Sequence, residues 1–173
     1  MAHQEPSRDA ARQRTTSLHR VLRYGPLLVW MVFISFASTS EFSSLNTSKV
    51  LRPFMLWLMP NLTELQLGNI HLVIRKLGHF AEYGLLAYLA SRAFVTSSFA
   101  FIRRHWFLLG LMLVLIYSLL DEFHQSFVPS RTGSIYDSVI DVVGGLTVLL
   151  VFASLDRRAA EIARNPEVVR SSG

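Results

Sequence analysis

Four blocks of about helix length, each rich in large apolar residues and poor in charge, constrain this chain more than any other feature. They lie at residues 21–40, 76–95, 106–127 and 134–153. About 20 such residues in helical form cross the hydrocarbon core of a bilayer. Lipid offers no water to satisfy a backbone amide, so a segment that crosses singly must be helical. The expectation is an all-α integral membrane protein, a four-helix bundle with polar tails at 1–20 and 156–173. Composition agrees, with 51% of the 173 residues apolar and 17% charged, against about 25% charged in soluble domains.

The net charge of +5 resides mostly in the two tails and one short loop, where basic residues fix topology rather than bind nucleic acid. No nucleic-acid partner is expected; the expected partner is the bilayer itself. The oligomeric state is not legible. There is no cysteine, hence no disulfide framework and no thiolate metal site. Glycine loops that cradle phosphate are absent.

Taken in order, residues 1–20 read as a cytoplasmic tail without fixed structure, carrying Arg8, Arg12, Arg14 and Arg20. The first span follows, anchored by Arg23 and Tyr24. A cleaved signal peptide is its rival, because a basic region precedes an apolar run and Ala37 and Ser38 follow; the length of the basic region favours a retained helix. Residues 41–75 form the longest polar connection. Within it VLRPFMLWLMP (50–60) is too short and too interrupted to span. It either lies in the membrane interface as an aromatic-rich segment or folds back on the bundle.

The second span, KLGHFAEYGLLAYLASRAF, begins with its chemistry. Lys76, His79 and Tyr83 share one helical face, with Glu82 beside them. In the third span the order reverses: an almost purely apolar start ends in Asp121, Glu122, His124 and Gln125, with Asp121 on the face of His124 and Gln125. A turn, VPSRTG, carries Arg131, and the fourth span opens with Ser134, Asp137 and Asp141 on one stripe, followed by Gly144 and Gly145. Adjacent glycines permit close helix approach but are not a GxxxG pattern.

The loop with Arg103 and Arg104 is short and basic, as are both tails. The positive-inside rule therefore puts both termini and the 95–105 loop in the cytoplasm of a multi-pass plasma (inner) membrane protein. The start of span two, the end of span three and the start of span four then fall in one layer at the outer face. Glu82 and Asp141 lie on the order of 10 Å inside it, at a rise of about 1.5 Å per residue. Acidic side chains that deep need partners.

Three readings of this layer compete: helix ends meeting headgroups and water, a buried ion-pair network that sets helix register, and a functional site. As a site, Glu82, Asp121, Glu122 and His124 are the candidate acid–base groups. Lys76, His79, Tyr83, Gln125, Arg131, Asp137 and Asp141 are the candidate ligand-binding groups. A divalent cation with His79 or His124 as an added ligand is another way to hold such carboxylates together. No spacing matches a metal motif, so no metal or cofactor is assigned.

KLGHFAEYGLLAYL (76–89) together with DEFHQSFVPSRTGSIYDSVIDVVGG (121–145) resembles the VanZ-like family of small bacterial membrane proteins, over about residues 25–155. The resemblance matches the family's recurrent polar positions to Lys76, His79, Glu82, Tyr83, Asp121, Glu122, Gln125, Arg131 and Asp137. Where the family commonly has Asn one turn after that last aspartate, this chain has Asp141. The family's namesake is linked to teicoplanin resistance; the resemblance implies a functional polar layer without implying resistance. The residues and the resemblance together point to a site for an envelope lipid headgroup or lipid-linked precursor. The rivals are a non-enzymatic transport or proton/cation relay component and a structural partner protein. Whether a reaction is catalysed is left open.

Overall fold

The computed structural model describes residues 5–39, 44–127 and 134–164. All the regular structure there is helical: α1 (Glu5–Ala37), α2 (Ser44–Leu58), α3 (Glu64–Val95), α4 (Ala100–Arg104), α5 (Trp106–Gln125) and α6 (Ile135–Arg164). Three stretches among the described residues are long and apolar enough to cross a membrane: His19–Ala37, Trp106–Gln125 and Ile135–Arg164. α3, interrupted by His79, Glu82 and Arg92, is not one of them.

Three boundaries differ from the sequence reading. α1 is helical from Glu5, inside the tail expected to lack structure; Ala, Arg and Gln are strong helix formers, and Pro6 sits in the first turn, where its missing N–H is no loss. α3 begins at Glu64, twelve residues before the expected start of span two. The cause is a capping box: Thr63 accepts from the Gln66 amide (3.3 Å) while Gln66 Oε1 accepts from the Thr63 amide (2.9 Å). The sequence Thr-Glu-Leu-Gln is the signature of that motif. α6 continues to Arg164, into the segment expected to be a polar tail. The 50–60 segment is largely helix α2, which packs on α3 through Arg52 and Glu64 (2.5 Å) and leaves Phe54, Trp57 and Leu58 exposed.

α3 is the central element, in contact with α1, α2, α4, α5 and α6. Small residues make that possible: Gly84, Ala87, Ala90, Ser91 and Ala93 are buried along it, letting neighbouring backbones approach closely. Gly144 and Gly145 divide the same task, because successive residues on a helix point about 100° apart. A Cβ on Gly144 would fall against the Phe80 carbonyl of α3, whereas one on Gly145 would lie 2.6 Å from Val114 Cγ1 of α5. α1 is tied on by hydrogen bonds. Trp30 Nε1 donates to the Glu82 carbonyl (3.0 Å), and the Tyr117 hydroxyl donates to the Met31 carbonyl (2.5 Å).

The distribution of side chains is inverted relative to a soluble bundle. Large apolar residues face outward, among them Val29, Val32, Leu108, Ile116, Leu150 and Val151, while many of the buried positions are polar or small. Burying small and polar groups and exposing Leu and Val suits a helix surrounded by lipid tails.

Candidate functional site: a polar layer at one end of the bundle

The residues singled out on α3, α5 and α6 converge. His79 Nδ1 lies 3.1 Å from Asp141 Oδ1, and Ser118 Oγ donates to Asp141 Oδ2 at 2.8 Å. Gln125 Nε2 donates to Asp121 Oδ2 (2.8 Å) and to Ser38 Oγ at the end of α1 (3.4 Å). The Ser134 amide, at the start of α6, donates to Glu122 Oε2 (2.5 Å). Arg75 pairs with Asp137 at 2.8 Å. One stratum thus links four helices.

Helical geometry explains how the chain assembles it. On α5, Ser118, Asp121, Glu122 and Gln125 follow the i, i+3, i+4, i+7 rule and form a single stripe, and all four are buried. On α6 the stripe is Asp137, Ser138 and Asp141, continuing into the two glycines. On α3 it is Arg75, His79 and Tyr83, spaced by four. Close approach of α3 and α6 at Gly144, one residue along from the His79 level at Phe80, brings the imidazole against Asp141.

Burial decides what these groups can do. Asp141 and Gln125 are 0% exposed, and Asp121 and Glu122 are each 7%. Among the described residues Asp121, Glu122 and Asp141 meet no lysine or arginine within ion-pair distance, and Asp137 alone of the buried carboxylates has one. Among the described residues four buried polar atoms lack a partner: the Tyr83 hydroxyl, Glu122 Oε1, Gln125 Oε1 and Ser138 Oγ. An unmet buried polar atom costs about 1–3 kcal/mol.

Several expected site residues stand differently. His124 is exposed and outside the network: the buried α5 stripe centres on 118, 121, 122 and 125, and His124 points about 100° away from it. Lys76 is half-buried and has no ion pair among the described residues. Its neighbour Arg75, which the sequence reading did not single out, takes the anionic partner; it lies one turn before His79, a spacing of four that puts it on that residue's face. Glu82 is half-buried. Arg131 lies outside the described residues. Ser118, Ser38 and Ser138 are further members that the sequence reading left out; for Ser118 the signal was its position three before Asp121.

At the opposite end another set of contacts gathers at Ser97 and Ser98, where Arg103 Nη1 donates to the Ser97 carbonyl at 2.7 Å. Tyr24 donates to Ser97 Oγ (2.9 Å) and Arg23 to Ser98 Oγ (3.0 Å), while Trp106 and Phe152 stack edge to face at 5.4 Å.

No curated protein and no solved structure matches the chain. The sequence model of one family, VanZ/LLP1, matches residues 22–156, a range that contains every residue of the stratum, the whole of the candidate span Trp106–Gln125 and most of the other two. With the motifs of α3, α5 and α6 inside that match, the chain is a membrane protein that belongs to the VanZ/LLP1 family.

Proposed function

We propose that the polar stratum binds the polar headgroup of an envelope lipid or lipid-linked precursor at the outer leaflet of the plasma (inner) membrane. The observation that carries this reading is the set of four buried atoms without a partner among the described residues, Tyr83 OH, Glu122 Oε1, Gln125 Oε1 and Ser138 Oγ, which supply both donors and acceptors. In the same reading α1, α3, α5 and α6 form a four-helix membrane bundle with both termini cytoplasmic. α3 is its fourth span because it packs against the three candidate spans and must share their depth. Lys76 and Arg131 meet the anionic part of the headgroup, Gln125 and Tyr83 hydrogen-bond it, and Asp121 and Glu122 are placed to hold or move a proton.

A transport or relay role receives less support, since the buried polar groups crowd one end and a conducting path has to cross. The test is the envelope lipid and lipid-linked precursor profile of cells that express the protein, Asp121→Asn or Glu122→Gln at matched membrane levels. A profile altered by the wild-type protein and restored by both substitutions supports the reading. Identical profiles in all three, or alteration by the variants too, refute it.

A further inference from the structure

The stratum contains a trio whose donor set goes beyond headgroup recognition. One ligand atom from each of His79, Glu122 and Asp141 lies within 4.8 Å of the other two, and all three side chains are buried. We infer that this trio is a binding site for a first-row divalent transition cation of the Mn²⁺ or Zn²⁺ class. The inference rests on the trio's own geometry and stands or falls separately from the headgroup reading.

The spacing of one pair fits first, and the Glu122 atom lies within 4.8 Å of both its members. Two donors bound to one cation at about 2.0–2.2 Å lie roughly 3.0–3.5 Å apart, and His79 Nδ1 and Asp141 Oδ1 are 3.1 Å apart. A nitrogen lone pair cannot face a carboxylate oxygen at that distance unless a proton or a cation stands between them. Each carboxylate also has one oxygen held and one available. Asp141 Oδ2 accepts from Ser118 and Glu122 Oε2 from the Ser134 amide, while Asp141 Oδ1 faces the imidazole and Glu122 Oε1 has no partner among the described residues. Outer hydrogen bonds of that kind orient metal ligands.

Charge points the same way. Two buried carboxylates and a neutral imidazole sum to −2, which a dication cancels, and among the described residues no lysine or arginine pairs with Glu122 or Asp141. The mixed nitrogen and oxygen set selects the metal: Mg²⁺ and Ca²⁺ prefer oxygen alone, thiolate metals lack a cysteine, and imidazole with carboxylates suits Mn²⁺ or Zn²⁺. Three protein donors leave at least one coordination position for water.

The experiment is metal content of the purified full-length protein in nanodiscs, stripped with chelator, dialysed against Mn²⁺, Zn²⁺ or Mg²⁺ alone and measured by mass spectrometry. About one Mn²⁺ or Zn²⁺ per chain is expected, with little Mg²⁺. His79→Gln and Glu122→Gln should abolish it, and His105→Gln, at an exposed histidine outside the stratum, should retain it. Ser118→Ala, which removes only an outer hydrogen bond, should weaken affinity about tenfold; it serves as the test if the ligand variants fail to fold. Wild-type protein that takes up no transition metal, or uptake unchanged in the His79, Glu122 and Ser118 variants, overturns the assignment. Metal uptake with an unaltered lipid profile would sink the headgroup reading alone.

Discussion

Replacing Gly144 with alanine should separate α3 from α6 at the level where the site is assembled. Alanine is worth about 1 kcal/mol more than glycine in a helix interior, so without tertiary contacts the substitution would stabilise. Here the new methyl falls against the Phe80 carbonyl, which is backbone and cannot rotate aside. Overpacking of this kind costs about 1–3 kcal/mol. The displacement is transmitted next door to the His79–Asp141 contact at 3.1 Å; a hydrogen bond to a charged group is worth about 1.5–3 kcal/mol. The net expectation is a loss of about 2–5 kcal/mol. Equilibrium unfolding in mixed micelles with rising SDS, followed by circular dichroism, measures it. The internal control is Gly78→Ala, where a Cβ meets nothing within 4 Å and the helix should gain about 0.5–1 kcal/mol. Gly144→Ala as stable as the wild type, or Gly78→Ala as damaging as Gly144→Ala, would refute the close-approach reasoning.

Three further outcomes follow from the same contacts. Arg75→Ala strands the carboxylate of Asp137, which is 12% exposed; it should cost about 1–3 kcal/mol, and the double variant with Asp137→Asn should recover most of it, measured by the same unfolding assay in a double-mutant cycle. Tyr117→Phe removes the hydroxyl that joins α5 to the Met31 carbonyl and Ser35 of α1; a loss of about 0.5–1.5 kcal/mol is expected, and an unchanged midpoint would mean that α1 is held by packing alone. In this cysteine-free chain, single cysteines at Phe127 and Phe101, both exposed, report orientation in intact cells. Labelling from outside at 127 and not at 101 fits an outer-leaflet stratum; the reverse pattern moves it to the cytoplasmic side and removes the headgroup proposal.

The membrane class and the existence of one polar layer were legible in the sequence because both depend on local order. Apolar runs of helix length report the solvent, and polar residues at the start of one helix, the end of the next and the start of a third must coincide in depth when helices alternate in direction. The family was legible for the same reason: its motifs are short stretches with fixed spacing. What the sequence did not yield was rotation about each helix axis. Lys76 and Arg75 are adjacent, as are His124 and Gln125, and only packing decides which of each pair turns inward. Here Arg75 and Gln125 do, while His124 faces out. The roles of Gly144 and Gly145 were open in the same way, since a double glycine permits close approach without naming the neighbour; α3 meets one and α5 the other. The trio of His79, Glu122 and Asp141 draws on three helices and spans 62 residues between its first and last members, a separation at which no spacing rule operates. The sequence set the depth of each polar group through chain direction and helix rise, and tertiary packing alone set its azimuth, on which the site's chemistry depends.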